Sequence, residues 1–158
     1  MTATSPATSD VLSRILQEGY GPGAWHGPDL KAAVADVAKQ TAFKRPAAGR
    51  HSIAEIALHH VWCVRSVIGK LTGTEPGRFI LEGEDWFELS GERPTWPEIV
   101  ALLDADQKKL GKAVSRLVAG KLDSPLSESE RFDLVLGVTC HAVYHAGQIQ
   151  LVKRLLAA

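Results

Sequence analysis

Three stretches of the chain begin with the same helix-starting motif, a hydroxyl residue followed three positions later by glutamate. The motifs are Ser52-Ile-Ala-Glu55, Thr95-Trp-Pro-Glu98 and Ser127-Glu-Ser-Glu130. In such a capping box, the hydroxyl and the carboxylate each accept a hydrogen bond from a backbone N–H that the first helical turn leaves unpaired. Apolar residues recur with helical spacing after each motif, and strand alternation is nowhere sustained. The sequence therefore predicts three long helices, at about 53–71, 96–118 and 128–156.

The chain before these helices predicts a first helix that is broken. Ser9 can cap a short helix that reaches about Gln17, and the segment 19–28 is too rich in glycine and proline to continue it. Pro28 then suits the first turn of a second helical piece. The apolar side of that piece comprises Leu30, Ala33, Val34 and Val37. The next stretch, 41–50, is predicted to be a loop.

A longer connection, 72–94, joins the first two long helices. It contains Trp86 and Phe87, whose rings would be costly to leave in water, so we predict an ordered surface loop. Since the chain has no repeat and no linker, residues 9–158 are predicted to form one domain after a disordered polar start at 1–8. The predicted fold is all-α, an antiparallel four-helix bundle whose first helix is broken near 19–28.

The composition excludes several classes of function. The chain has 158 residues, with 18 Lys and Arg balancing 18 Asp and Glu, so a nucleic-acid partner is not expected. Two cysteines cannot form a disulfide framework, and no stretch has the roughly 18 consecutive apolar residues of a membrane span. The N-terminus lacks the basic and apolar regions of a signal peptide. We therefore expect a cytoplasmic protein that does not bind membranes.

The last predicted helix carries polar residues on the face that should contact the other helices. An apolar, heptad-like pattern runs from Leu134 to Leu155, yet its middle positions are His141, His145 and Gln148. Residues four positions apart on a helix point the same way, so the two histidines can bind one cation. A lone histidine in such a face is more often a hydrogen-bonded core residue. Two at this spacing, joined by a third on another helix, favour a metal site.

The helix at 53–71 offers two candidates for the third ligand, His59 and His60. The most apolar stripe of that helix contains His60, whereas the face with His59 and Cys63 is less apolar. Helical periodicity leaves the choice between the two histidines open. Cys63 could be a fourth ligand that closes a structural site, but small packing roles are favoured for Cys63 and Cys140.

Three neutral imidazoles would leave at least one open position on a divalent ion. Water bound there can have a pKa of about 7, far below that of free water, and a thiol would lose its proton more readily still. Candidate catalytic residues are Gln148, Tyr144 and His26, although Tyr144 could equally pack in the core and His26 could simply cap a loop. An obvious proton-transferring group is missing, because Glu55 belongs to a capping box and Asp133 lies near a helix start.

Two segments resemble a known family. HSIAEIALHH at 51–60, followed downstream by GVTCHAVYHAGQIQLVKRL at 137–155, is similar to the DinB-like (YfiT-like) superfamily of metal-binding four-helix bundles. The most specific part is His141-Ala-Val-Tyr-His145-Ala-Gly-Gln148, which matches the family's H-x3-H-x-G-Q signature. The AWHGP stretch at 24–28 also resembles one branch of the family. The resemblance covers almost the whole chain.

The resemblance implies a set of metal ligands. In that family the first ligand lies eight residues after an aromatic residue or histidine that precedes the Ser/Thr cap. Counting from His51 reaches His59, so the implied ligands are His59, His141 and His145, with His60 as the reserve. Many relatives have tryptophan at the position of His51, a departure that should matter little to the metal.

The resemblance also implies two enzymatic functions. Some relatives are metal-dependent transferases or isomerases that use a low-molecular-weight thiol, and others have been proposed as metal-dependent hydrolases. We therefore expect a metal-dependent enzyme that activates a thiol or water towards a small-molecule substrate. Zinc is the expected ion, and nickel also suits imidazole ligands. The alternative hypothesis is a stress-associated binding protein in which the ion is structural.

A homodimer is expected from the same resemblance. The outward face of the helix at 96–118 is too charged to form the apolar centre of a dimer interface, and its charges are predicted to lie on the solvated surface. These charged residues are Asp104, Asp106, Lys108, Lys109 and Lys112.

Overall fold

The computed structural model describes the backbone of residues 7–158 and the side chains of residues 11–158. Its helices are α1 (Ala7–Gly19), α2 (Leu30–Ala35), α3 (Lys39–Ala42), α4 (Ile53–Thr72), α5 (Trp96–Val118) and α6 (Glu128–Ala157). The described residues contain no β-strand, which confirms the predicted all-α class. None of these helices is both long enough and apolar enough to cross a membrane.

The three long helices begin where their capping boxes predict. Ser52 Oγ accepts a hydrogen bond from the Glu55 N–H at 3.2 Å, and Glu55 Oε2 accepts one from the Ser52 N–H at 2.7 Å. The same reciprocal arrangement is present at the start of α6, whereas at the start of α5 Glu98 Oε2 accepts hydrogen bonds from both the N–H and the hydroxyl of Thr95. Because the hydroxyl and the carboxylate pair the free N–H groups, each helix starts directly after its cap residue. The predicted bounds are confirmed to within one residue.

The start of the chain differs from the prediction in its details. α1 begins at Ala7, before the predicted cap at Ser9, and ends at Gly19, where the predicted break begins. The predicted polar start at 1–8 falls mostly on residues 1–6, which lie outside the described part of the chain. The short helix α3 extends slightly into the stretch that was predicted to be a loop.

The second helical piece starts slightly later than predicted. Asp29 Oδ1 accepts hydrogen bonds from the N–H groups of Lys31 and Ala32, at 2.8 and 3.2 Å. Asp29 is therefore the N-cap, and α2 begins after it instead of at Pro28. The apolar face of α2 is buried as predicted, at Leu30, Ala33 and Val34.

Two clusters of buried apolar side chains give the directions of the helices. The first cluster contains the beginnings of α4 and α5 and the end of α6, as at Ile56, Ile99 and Ile149. The second cluster contains the opposite ends of these helices, as at Leu71, Leu117 and Val135. α1 packs into the second cluster, and Tyr20, which follows it, packs against the first. α4 and α5 therefore run one way through the bundle, and α1 and α6 run the other way.

Not every pair of neighbouring helices is antiparallel. α4 contacts α5 and α6, and α1 also contacts α5 and α6. The pairs α4–α6 and α1–α5 are antiparallel, whereas α4–α5 and α1–α6 are parallel. The parallel pair α4–α5 needs a connection that returns along the bundle, and the segment 73–95 is long enough to provide it.

One charge that was predicted to lie on the outer surface is buried. Asp106 of α5 is 1% exposed, and its carboxylate accepts hydrogen bonds from Arg65 Nε at 2.5 Å and Lys109 Nζ at 2.9 Å. Arg65 belongs to α4, so the prediction for Asp106 is wrong because α4 packs against this side of α5. Lys108, Lys109 and Lys112 are exposed as predicted.

α1 approaches α6 closely at Gly19. A Cβ atom at this position would lie 2.9 Å from Ala142 Cβ and 3.1 Å from the carbonyl oxygen of Thr139. Both distances are shorter than ordinary van der Waals contact, so only glycine lets the two helices pack this tightly.

We expect Gly19→Ala to lower the free energy of unfolding by about 1–3 kcal/mol, because α1 must move away from α6. Gly111→Ala in α5 is the matched control. A Cβ there meets no atom within 4 Å, and alanine should raise the stability by about 0.5–1 kcal/mol. Urea unfolding followed by circular dichroism measures both changes, and equal effects in the two variants would contradict the close approach.

Candidate metal centre

Histidines from α4 and α6 meet where these antiparallel helices face each other. His141 Nε2 lies 3.0 Å from His59 Nε2 and 3.0 Å from His145 Nε2. His59 and His145 are buried, and His141 is partly exposed. The His141 and His145 rings are nearly perpendicular, with centroids 4.2 Å apart. Three ring nitrogens from three side chains therefore lie close together inside the bundle.

The His59 ring is held by the connection between α4 and α5. His59 Nδ1 lies 3.0 Å from the backbone carbonyl oxygen of Asp85 and 3.0 Å from its carboxylate Oδ1. Both oxygens are acceptors, so the ring proton of His59 belongs on Nδ1. Asp85 has a φ of 65°, a left-handed conformation that is uncommon for residues other than glycine. This backbone conformation aims both Asp85 oxygens at the same ring nitrogen.

Trp86 covers the outer side of the His59 ring. Its indole lies between two imidazoles, with ring centroids 4.1 Å from His59 and 3.6 Å from His51, and it is nearly parallel to both. Phe87, the next residue, is buried in the first apolar cluster. The connection is therefore ordered against the bundle, as predicted from these two aromatic residues.

His145 is held by a neighbour on its own helix. His145 Nδ1 lies 2.6 Å from Gln148 Oε1, and Gln148 Nε2 donates a hydrogen bond to Tyr144 Oη at 3.1 Å. Because the amide oxygen accepts, the ring proton of His145 also belongs on Nδ1. Tyr144 itself is 62% exposed, so a core packing role for its ring is wrong.

His60 contacts the opposite edge of the His141 ring. The two Nδ1 atoms lie 3.0 Å apart, so one of them carries a proton and donates a hydrogen bond to the other. His60 is 1% exposed, and neither its Nε2 nor Gln107 Oε1 on α5 has a hydrogen-bond partner within the described part of the chain. Both candidates that the sequence left open therefore contact His141, His59 at Nε2 and His60 at Nδ1.

These hydrogen bonds leave more nitrogen lone pairs at the centre of the cluster than there are N–H groups to donate to them. With their protons on Nδ1, His59 and His145 both direct an Nε2 lone pair towards His141 Nε2. One nitrogen of His141 can donate to only one of these lone pairs. A cation would satisfy all three nitrogens at once, so the donor set fits a metal ion.

The surroundings lower the pKa values of three of the histidines, His60, His141 and His145. Burial, followed by repulsion from neighbouring histidines, lowers the pKa of His141 from 6.5 to about 4. Burial also lowers the pKa of His145 to about 4, although its hydrogen bond to Gln148 opposes the shift. Burial is also the main cause that lowers the pKa of His60 well below its usual value. The imidazoles of His60, His141 and His145 therefore carry no charge at neutral pH.

Cys63 lies at the edge of the same centre. Its Sγ is 3.9 Å from His59 Nε2, and ligand atoms of His59, Cys63 and His141 all lie within 4.8 Å of one another. Burial, followed by the charge of Asp85, raises the pKa of the Cys63 thiol to about 11. Two sets of ligands thus overlap here, one that includes His145 and one that includes Cys63.

The other predicted site residues have different positions. His26 is exposed, and its Nε2 lies 2.7 Å from the backbone carbonyl oxygen of Glu18, with no described contact to the histidine cluster. Asp133 is exposed on α6. Burial would raise the pKa of Glu55, but hydrogen bonds from Arg45 and Ser52 hold it below its usual value. Glu55 is therefore occupied by its capping box, as expected from the sequence, and also by this ion pair, which the sequence did not predict.

Sequence reasoning missed the contribution of Asp85. No spacing rule relates this loop residue to His59, because their contact depends on the path of the connection. Trp86 was predicted to be ordered, but its stacking on His59 was not predicted. His51 served only as a reference position for counting, although it stacks on the other face of Trp86.

Comparison with known proteins supports a family assignment. Residues 24–149 match the family model of the DinB superfamily, in agreement with the resemblance of the two histidine-containing segments. The matched range includes His59, His141 and His145. No curated protein and no protein of solved structure matches the chain.

The neutral histidines predict how the stability of the metal-free protein depends on pH. Because folded His60, His141 and His145 have pKa values below 6.5, the unfolded chain binds more protons than the folded chain as the pH falls below that value. Stability should therefore be highest above about pH 7 and fall towards pH 5. Each such histidine changes the free energy of unfolding by at most about 1.4 kcal/mol per pH unit.

Urea unfolding of chelator-treated protein at several pH values measures this slope. His145→Gln removes one of the titrating groups and should make the slope shallower. A stability that stays constant between pH 7 and pH 5 would show that the imidazoles are not held neutral by burial.

Proposed function

The chain belongs to the DinB superfamily, and from this premise we propose that it is a metal-dependent enzyme. In this proposal His59, His141 and His145 bind a divalent ion, which activates a thiol or a water molecule towards a small-molecule substrate. The observation that carries the proposal is the convergence of three Nε2 atoms, two of which must present lone pairs. Zinc is the proposed ion, with nickel as the alternative.

The distances within the cluster support this ligand set. Zinc binds imidazole nitrogen at about 2.0–2.1 Å, and tetrahedral geometry then separates neighbouring nitrogens by about 3.3 Å. His141 Nε2 lies 3.0 Å from the Nε2 atoms of both His59 and His145, slightly less than this separation, so the rings of each of these two pairs would have to move apart a little to share an ion.

Each proposed ligand has a partner that orients its ring. Asp85 holds His59, Gln148 holds His145, and His60 contacts Nδ1 of His141. Histidine ligands usually donate their second N–H to such a partner, which selects the tautomer that binds metal. The rings are therefore oriented before any ion binds, which lowers the entropic cost of binding.

A divalent ion at this centre would act as a Lewis acid that lowers the pKa of a bound thiol or water. Trp86 would shield one side of the centre from solvent, while the partly exposed His141 leaves room for a substrate to approach. Asp85 already holds His59 through its carboxylate. A thiol, whose pKa is about 8.5, loses its proton more easily than water and so depends less on a nearby proton acceptor. This favours a thiol transferase over a hydrolase.

A second candidate function is a binding protein in which the ion is structural. The close approach of Cys63 to His59 and His141 favours it, because a thiolate as fourth ligand would close the coordination sphere. A closed site has no open position for a substrate.

Metal content measured by mass spectrometry of the purified variants tests the proposed ligands. We expect His59→Ala, His141→Ala and His145→Ala to lose the ion. His60→Ala should retain it with affinity lowered about 10–100-fold, since His60 acts through His141. His26→Ala, outside the cluster, is the matched control and should bind normally. Full metal content in the His145 variant would exclude the three-histidine site.

Removal of the ion distinguishes the catalytic and structural alternatives. If the ion is catalytic, chelator should lower the melting temperature only modestly, and Cys63→Ser should retain both metal and activity. A structural ion stabilises the folded state by its full binding free energy, so its removal should lower the melting temperature greatly. Loss of metal from the Cys63 variant would also support the structural alternative.

Activity assays distinguish the two reactions. A thiol transferase should consume bacillithiol, mycothiol or glutathione together with an electrophile, only when metal is present. A hydrolase should instead cleave activated esters or amides without added thiol. The His145→Ala protein is the control in both assays. If the metal-loaded protein showed neither activity, the binding-protein alternative would be favoured.

A further inference from the structure

A polar side chain interrupts the apolar side of α5. Leu103 and Leu110 are 1% and 0% exposed, and Gln107 lies between them on the same side of the helix. The buried side of a bundle helix normally needs only apolar residues. Gln107 Oε1 is itself buried and has no hydrogen-bond partner within the described part of the chain. A buried amide oxygen that stays unpaired costs stability, so a partner is expected for it.

The neighbouring helix α4 supplies a second unpaired atom, His60 Nε2. It is likewise buried without a hydrogen-bond partner among the described residues. Burial, the main cause, lowers the pKa of His60, and the Gln107 side chain opposes this shift, so the two groups are neighbours. The ion pair of Arg65 with Asp106, the residue before Gln107, joins the same two helices. Rotation of the Gln107 amide would let His60 Nε2 donate a hydrogen bond to Oε1 and would pair both atoms.

The proton between His60 and His141 decides what His141 presents to the centre of the cluster. Their Nδ1 atoms lie 3.0 Å apart, and a neutral imidazole carries only one N–H. If the shared proton belongs to His60, the proton of His141 lies on Nε2 and points at the other histidines. If it belongs to His141, His141 Nε2 has a lone pair, and the proton of His60 lies on Nε2. Only this second arrangement gives the centre three lone pairs.

Gln107 distinguishes the two arrangements. In the first, His60 Nε2 and Gln107 Oε1 are both acceptors, so they cannot pair and both stay buried without a hydrogen bond. In the second, His60 Nε2 is a donor and the amide oxygen is its acceptor. Because an unpaired buried polar atom is costly, the amide oxygen favours the second arrangement.

We propose that Gln107 is a positioning residue that acts through His60 and holds His141 in the tautomer that binds a metal ion. This inference rests on the proposed three-histidine site. Oxygen atoms fix the ring protons of the other two proposed ligands on Nδ1. The partner of His141 is instead another imidazole, which can either donate or accept. An oxygen behind that imidazole fixes the direction of the hydrogen bond, and Gln107 supplies it.

Nitrogen-15 NMR of the imidazole rings in metal-free protein at neutral pH tests the tautomer directly, because protonated and unprotonated ring nitrogens have different chemical shifts. We expect wild-type His60 to carry its proton on Nε2. Gln107→Met keeps the length of the side chain but removes the oxygen, so it should move this proton to Nδ1. His60→Ala identifies the signals of the ring. A proton on His60 Nδ1 in the wild type would overturn the proposal whatever the variants do.

Competition with a coloured chelator measures the consequence for zinc binding. Gln107→Met should weaken binding about 10–100-fold, as is typical when a group that orients a ligand is lost. Gln107→Glu keeps an acceptor oxygen and should bind zinc at least as tightly as the wild type. Lys112→Met, on the exposed side of α5, is the matched control and should bind normally. Circular dichroism verifies that each variant is folded. Equal weakening by methionine and glutamate would overturn the proposal.

A double-mutant cycle tests whether Gln107 acts through His60. Once His60→Ala has removed the intermediate ring, adding Gln107→Met should weaken zinc binding no further. Additive losses would show that Gln107 acts independently and would overturn the proposal. A wild-type protein that binds no zinc would overturn both this inference and the proposed function. Zinc binding by the three histidines that Gln107→Met leaves unchanged would overturn this inference alone.

Discussion

The hydrogen bonds at the Nδ1 atoms of the histidines are the interactions on which the site depends. They direct the protons of His59 and His145 away from the centre and leave lone pairs facing His141. Burial of these neutral rings costs stability unless their polar atoms are paired. The fold supplies those pairs on the outer edges of the rings and leaves the inner edges for a cation. The same hydrogen bonds therefore orient the imidazole rings and leave their inner nitrogens with the lone pairs that would bind the ion.

The direction of the helices makes those contacts available. Because α4 and α6 are antiparallel, the beginning of one and the second half of the other face each other, which brings His59 to His141. Because α4 and α5 are parallel, a long connection has to return along the bundle. That connection carries Asp85 and Trp86 to the outer side of His59. The topology that requires a long loop therefore also provides the partner that orients a proposed ligand.

α6 has polar chemistry on its inner side and apolar surface on its outer side. The inner side presents His141 and His145, and the outer side exposes Leu136, Leu151 and Leu155. Tyr144 and Gln148 lie between them and join the two through hydrogen bonds.

The sequence by itself determined the long helices and the family. Capping boxes and apolar spacing are local signals, since each motif pairs its own backbone groups, and the signature around His141 and His145 lies within a single helix. Only the tertiary structure decided the remaining features. The burial of Asp106, the parallel pair α4–α5 and the contact of Asp85 with His59 each join distant parts of the chain. Helical periodicity could not separate His59 from His60, because both point inward and each meets a different nitrogen of the same ring.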